Sequence, residues 1–147
     1  MNTAVSIEER FASALHAAAR AWRQALDRRL RHLGISQAGW LAVTVTAKSK
    51  HPPSQTELAD KLGVEGATMV AMIDRLVKAQ LVTREPSKTD RRVKYIALTE
   101  AGNRLYTDVR AQAEAFRREI LVNIDASRLV AATELLEQLL QVVESQR

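Results

Sequence analysis

Seven cationic side chains fall between residues 75 and 94: Arg75, Lys78, Arg84, Lys88, Arg91, Arg92 and Lys94, against only Glu85 and Asp90. Four of them crowd the stretch SKTDRRVK. Such a cluster suits the neutralisation of a polyanion, where each phosphate met by a Lys or Arg releases a counterion. Arg91 and Arg92 have the charge and reach to enter a narrow, A·T-rich minor groove, whose negative potential is enhanced. Asp90 beside them would be wasteful on a pure phosphate binder. It is better explained as an acceptor that fixes one arginine, or the loop, in position. The competing explanation for the whole cluster is a solvated charged surface.

Just upstream lies a different set. Thr68 and Arg75 are polar candidates for base or phosphate contacts, set among Ala67, Val70 and Ala71. The small and apolar residues can touch thymine methyls but cannot make bidentate hydrogen bonds to base edges. Ser54, Gln55 and Thr56 open a helix-like segment and suit phosphate contacts, which position without specifying. Taken singly, each hydroxyl is equally a helix cap.

Such groups work only if the chain holds them on adjacent surfaces. Ser54 and Glu57 have capping-box spacing and open a helix ending near Leu62, before Gly63. A tight turn leads to a helix from about Gly66 to Ala79. Its buried stripe is Met69, Met72, Ile73 and Leu76, so Ala67, Ala71, Asp74, Arg75 and Lys78 face outward, with Thr68 and Val70 at the flanks. That is a helix-turn-helix with one exposed face. Leu81 to Glu85 and Val93 to Leu98 are short β-branched runs around the polar loop Pro86 to Arg92, and they predict a hairpin.

Helices flank this centre. Ser6 and Glu9 open one whose stripe runs Phe11, Leu15, Ala18, Trp22, Ala25, Leu26 and Leu33, with Gly34 as the stop. Ser36 caps a second through about Ala47, carrying Trp40, Leu41 and Val43, until His51, Pro52 and Pro53 break it. Thr99 caps a long helix with Leu105, Val109, Ala113, Phe116 and Ile120 on one side. Asp125 caps the last, where Leu129, Ala132, Leu136, Leu139 and Val143 are widened by Leu135, Leu140 and Val142. So apolar a terminal helix needs a large covering surface, either its own core or a second chain. The predicted fold is mainly α with a small β-hairpin wing. Its parts are a first helical arm (1–34), a winged helix-turn-helix (35–99) and closing helices (100–147).

The bulk composition is compatible. The chain has 147 residues, 46% apolar and 27% charged, enough for one domain with a core. It has no cysteine, which excludes disulfides, thiolate zinc sites, a cysteine nucleophile and thiol redox sensing. With no secretory signal and no run of eighteen apolar residues, a cytoplasmic protein is expected. The net charge of +5 is uneven, for residues 10–32 hold six arginines against Asp27 alone. His16, His32 and His51 are scattered, and no metalloprotease, phosphate-loop or nucleophile-elbow motif accompanies them, so neither catalysis nor a metal or cofactor is expected. Single-stranded nucleic acid would call for exposed aromatics among the basic residues, and only Tyr95 qualifies.

LADKLGV, IDRL, LVTRE, TDRR and LTEAG stand in one register, with the DRR followed six residues later by LT. In these motifs the chain resembles the MarR family of winged-helix transcription regulators. The stretch AWRQALDRRLRHLGISQAGW is most similar to the SlyA branch. The resemblance implies an obligate homodimer on pseudo-palindromic duplex DNA, with recognition helices in successive major grooves and wings in the flanking minor grooves. It makes Arg91 and Arg92 the wing arginines, and adds Arg84, Lys88 and Lys94 to the DNA-facing set. The dimer would be built by Phe11, Leu15, Phe116, Ile120, Leu129, Leu136, Leu139 and Val143. It also implies a pocket for a phenol or aromatic carboxylate, at positions including Arg20, Trp22, Arg23, Trp40 and Thr44. The alternatives are a winged helix used as a protein-interaction module and a ligand-independent architectural DNA binder that activates by displacing a silencing protein. One departure stands out: SlyA-like relatives often carry arginine where this chain has Ala71.

Overall fold

Nearly every helix begins where the sequence supplies an oxygen for its free amides. A computed structural model describes residues 4–147. The Ser6 hydroxyl accepts from the Glu9 amide (3.1 Å) and opens α1, Ile7–Leu30. Ser36 accepts from Gly39 (3.2 Å) ahead of α2, Gln37–Lys48. Ser54 accepts from Glu57 (3.1 Å) ahead of α3, Gln55–Leu62. Thr99 accepts from Gly102 (3.0 Å) ahead of α5, Glu100–Leu121. Asp125 accepts from the amides of Ser127 (2.8 Å) and Arg128 (3.2 Å) ahead of α6, Ala126–Glu144. These caps match the expected ones. The exception is α4, Gly66–Lys78, whose N-cap Glu65 makes no side-chain bond.

The Asp125 carboxyl is held below its usual range by the Ser127 side chain first, then by the Arg128 and Ser127 amides. Its folded pKa lies below the unfolded one. The cap therefore contributes fully above the ordinary carboxylate pKa and is lost as pH falls through the lowered value.

α4 ends without the usual glycine. Gln80 adopts φ 62°, and its amide donates to the Val77 carbonyl (2.9 Å) while Leu81 donates to Leu76 (3.0 Å). A side chain in this left-handed conformation costs roughly 1–2 kcal/mol, which exceeds the roughly 0.5–1 kcal/mol glycine loses in chain entropy. Gln80→Gly is therefore expected to raise the melting temperature by a few degrees. An unchanged or lower value would show that the Gln80 side chain stabilises the turn more than its backbone strains it.

The hairpin pairs β1 (Val82–Pro86) with β2 (Lys94–Leu98) antiparallel, from Val82 opposite Leu98 to Pro86 opposite Lys94. Each strand begins or ends within a residue of its predicted limit. The Ile96 amide donates to the Pro53 carbonyl (2.8 Å), and Ser54 bridges to Tyr95, so the start of α3 forms a short third edge of the sheet. The core lies where α2, α3, α4 and the hairpin meet: Val43, Leu58, Met69, Ile73 and Ile96 are all fully buried. This core fixes the angle between α4 and the wing. Arg29 on α1 donates to Gln112 on α5 (3.2 Å).

The chain divides into two compact units, one running through Ala113 and the other Glu114–Arg147. In the second unit no residue of α6 is buried. Val130, Leu135, Leu136, Leu140, Val142 and Val143 are each 44–57% exposed.

Candidate nucleic-acid interface

The 3.6-residue period of α4 separates its two faces. Met69, Met72, Ile73 and Leu76 are buried in the core. Ala67, Thr68, Val70, Ala71, Asp74, Arg75 and Lys78 are all exposed, as the sequence predicts. The face is shallow and largely apolar at its centre, with Arg75 and Lys78 towards its C-terminal end.

The wing tip is tightly built. Ser87 Oγ accepts from the amides of Thr89 and Asp90, both at 3.2 Å, and the Val93 amide donates to the Asp90 carbonyl (3.0 Å). Asp90 then holds Arg92 side-on. Oδ1 accepts from the Arg92 amide (3.0 Å) and Nε (3.1 Å), and Oδ2 accepts from NH2 (3.1 Å). The Arg92 guanidinium beside it, followed by the Arg92 amide, holds the Asp90 carboxyl below its usual range. The pair therefore forms at any pH above that lowered value. Arg92 nevertheless keeps 91% of its side chain exposed. The acceptor role expected of Asp90 is present, and the arginine it fixes is Arg92. Lys88 and Arg91 are exposed beside it, and Lys94 is half-buried.

Two residues of the expected DNA-facing set have their polar groups engaged within the fold. Ser54 is buried, with its hydroxyl committed to the α3 cap. Arg84 is half-buried: Nε donates to Gln55 Oε1 (2.7 Å), and NH2 pairs with Asp74 Oδ1 (2.8 Å) and lies 3.5 Å from the Val70 carbonyl. Gln55 is thus bonded to a residue of the wing, while Thr56 is exposed. The Arg84–Asp74 pair was missed from sequence. The signal was the strand alternation, because Val82 is buried and Arg84 shares its face.

The expected ligand positions separate into two groups. Trp40 is buried and Thr44 half-buried, one turn apart on α2. Both Trp40 Nε1 and Thr44 Oγ1 are buried without a hydrogen-bond partner. Leaving such groups unpaired costs about 1–3 kcal/mol each. On α1, Trp22 is half-buried while Arg20 and Arg23 are exposed. Of the expected dimer positions, Phe11, Ile120, Leu136 and Val143 are exposed, Leu15, Leu129 and Leu139 are half-buried, and Phe116 is already buried.

The MarR family model matches residues 42–94, from within α2 to the first residue of β2. Among solved structures, the transcriptional regulator PA3341 is 40% identical; the match covers 92% of this chain and 98% of that one, with a TM-score of 0.83. The MarR of Staphylococcus aureus, solved in complex with salicylate and kanamycin, is 20% identical over 96% of this chain and 95% of its own, with a TM-score of 0.87. CouR from Rhodococcus jostii RHA1, solved bound to p-coumaroyl-CoA, is 22% identical over 91% and 94%, with a TM-score of 0.78. The last two likenesses speak for the fold alone.

Proposed function

The chain belongs to the MarR family of transcriptional regulators, and from that premise we propose that it is a homodimeric, operator-selective repressor of the SlyA-like branch. The observation that carries this reading is the pairing of an uncovered α4 face with a wing tip whose Arg92 is held outward by Asp90. Each protomer presents α4 to a major groove and Arg92 to the adjacent minor groove. The exposed apolar residues of α6 are a surface for a second copy to cover. Bound across a promoter, the dimer represses by occupying it.

Ala71 shapes the specificity. No long polar side chain stands at the centre of the α4 face, so methyl contacts and groove shape carry much of the discrimination. Binding-site selection from random duplexes tests this: it is expected to return A·T-rich wing positions and only moderate preference under the centre of α4. A steep requirement for G·C there would overturn the assignment.

The unpaired Trp40 Nε1 and Thr44 hydroxyl support a ligand with an acceptor group, such as an aromatic carboxylate or phenol. Salicylate and p-coumaroyl-CoA, named with two solved relatives, have this chemistry. Such a ligand relieves repression by favouring a dimer whose recognition helices are wrongly spaced. Millimolar salicylate is expected to weaken operator binding several-fold, and Thr44→Val to abolish the response. Unchanged affinity at that concentration would remove salicylate as the effector.

A further inference from the structure

Arg84 carries an inference that rests on the DNA-binding reading and deepens it. We propose that Arg84 is a positioning residue, which locks the wing to the recognition helix and orients Gln55, and is not itself a phosphate contact. One guanidinium joins three elements. It stands on β1, takes Gln55 at the first residue of α3, and takes Asp74 and the Val70 carbonyl on α4. Its aliphatic stem runs on the strand face that also buries Val82, opposite buried Ile96. A planar fork can serve several acceptors in fixed directions at once, and a lysine ammonium cannot.

Two consequences follow for the interface. Arg84 Nε can only donate, so Gln55 must present its oxygen to Arg84. The amide NH2 of Gln55 is then the group left to donate outward, at the end of α3 where Thr56 is exposed. Asp74 is a carboxylate on the groove-facing side of α4, with its side chain 58% exposed. Unpaired, it would repel phosphate. Paired with Arg84, its charge is offset and becomes part of the brace that sets the spacing between α4 and the wing.

The test compares full-length wild type with Arg84→Met, Arg84→Lys, Asp74→Asn and the Arg84→Met/Asp74→Asn double variant. Binding is measured to duplex DNA flanking the protein's own coding sequence, across a salt series, with melting curves recorded in parallel. A positioning role predicts about tenfold weaker binding for Arg84→Met and Asp74→Asn, and a double variant no weaker than Arg84→Met. It predicts that Arg84→Lys resembles Arg84→Met, and that the slope of log affinity against log salt stays unchanged. The Asp74→Asn loss is diagnostic, because simple removal of a negative charge from a DNA-facing helix would tighten binding. A phosphate-gripping Arg84 predicts the opposite set: Arg84→Lys near wild type, a slope lower by about one unit in Arg84→Met, and equal or tighter binding by Asp74→Asn. That set would overturn the proposal, as would wild-type affinity in all variants. If Arg84→Met fails to fold, Asp74→Asn decides alone, with weaker binding supporting the brace and equal or tighter binding overturning it. Should the wild type ignore duplex DNA altogether, the regulator reading falls, and the brace is judged by hydrogen exchange. Faster exchange of the β1 amides in Asp74→Asn then supports it, and unchanged exchange overturns it.

Discussion

Gly102→Ala is expected to destabilise the protein by more than about 3 kcal/mol, well above the ordinary cost of a single substitution. A Cβ built at Gly102 overlaps the carbonyl oxygen of Leu81 and lies 3.1 Å from its carbonyl carbon and 3.4 Å from Leu98 Cβ. Both partners in the clash are main chain, so no rotamer change relieves it. The Leu81 carbonyl is itself committed, accepting from the Thr99 amide (3.0 Å), and the Thr99 hydroxyl donates to the Gln80 carbonyl (2.6 Å). Alanine's advantage of roughly 1 kcal/mol in helix propensity is too small to compensate. The glycine is required for close approach, because no positive φ is involved. Urea unfolding measures the effect, and a loss below about 1 kcal/mol would show that α5 does not seat on the Leu81 backbone as described. The junction also explains the LTEAG motif. Thr99 caps α5 and ties it to the end of α4, while Gly102 lets α5 lie against the strand that follows.

Arg92→Ala is expected to weaken operator binding by about thirtyfold, within the range of about 1–3 kcal/mol for a specific groove contact. The loss should shrink when the flanking A·T tracts are replaced by G·C, because the wider groove offers less to an arginine. Arg91→Ala is expected to cost only a few-fold, with the salt slope reduced by about one unit, as for a phosphate contact. The difference arises from Asp90, which fixes the direction of Arg92 before binding, so less side-chain entropy is lost on complex formation. Asp90→Asn is the informative control. If Asp90 merely repelled DNA, its neutralisation would raise affinity. As the residue that orients Arg92, its replacement lowers affinity on A·T-flanked sites and has little effect on G·C-flanked ones. Equal losses for Arg91→Ala and Arg92→Ala on every flank would remove the distinction between them.

The sequence made some parts of this molecule legible and hid others. Helix starts were readable because Ser6, Ser36, Ser54, Thr99 and Asp125 each place an oxygen where free amides occur, a local rule that tertiary packing did not override here. The faces of α4 followed from period alone. The hairpin followed from two β-branched runs around a polar loop. What stayed hidden was pairing across sequence. Arg84 and Asp74 are ten residues apart on different elements, one read by its charge and the other by its place on the outward face of α4. The same holds for Gln55, read as a phosphate donor before its oxygen was seen to be occupied. The end of α4 was legible to within a residue, at about Ala79, but the backbone that makes it was not. Gln80 occupies a left-handed position usually given to glycine, so the familiar stop signal is missing. Ser54 shows how a single residue type can serve two readings. Its hydroxyl suited both cap and phosphate, and only its burial assigns it to the cap.

A salt titration of duplex binding tests the central claim most directly. Wild type and the Arg91→Ala/Arg92→Ala variant are titrated onto duplex DNA from the region around the coding sequence, with sedimentation reporting the oligomer. The expected result is a dimer that binds duplex far better than the matching single strand. Its affinity should fall steeply with salt, by about 10³-fold or more between 50 and 200 mM for six or more phosphate contacts. The double variant should remain dimeric and folded but lose most of that affinity. A folded dimer that ignores duplex at low salt, or one whose binding is indifferent to Arg91 and Arg92, would contradict the account.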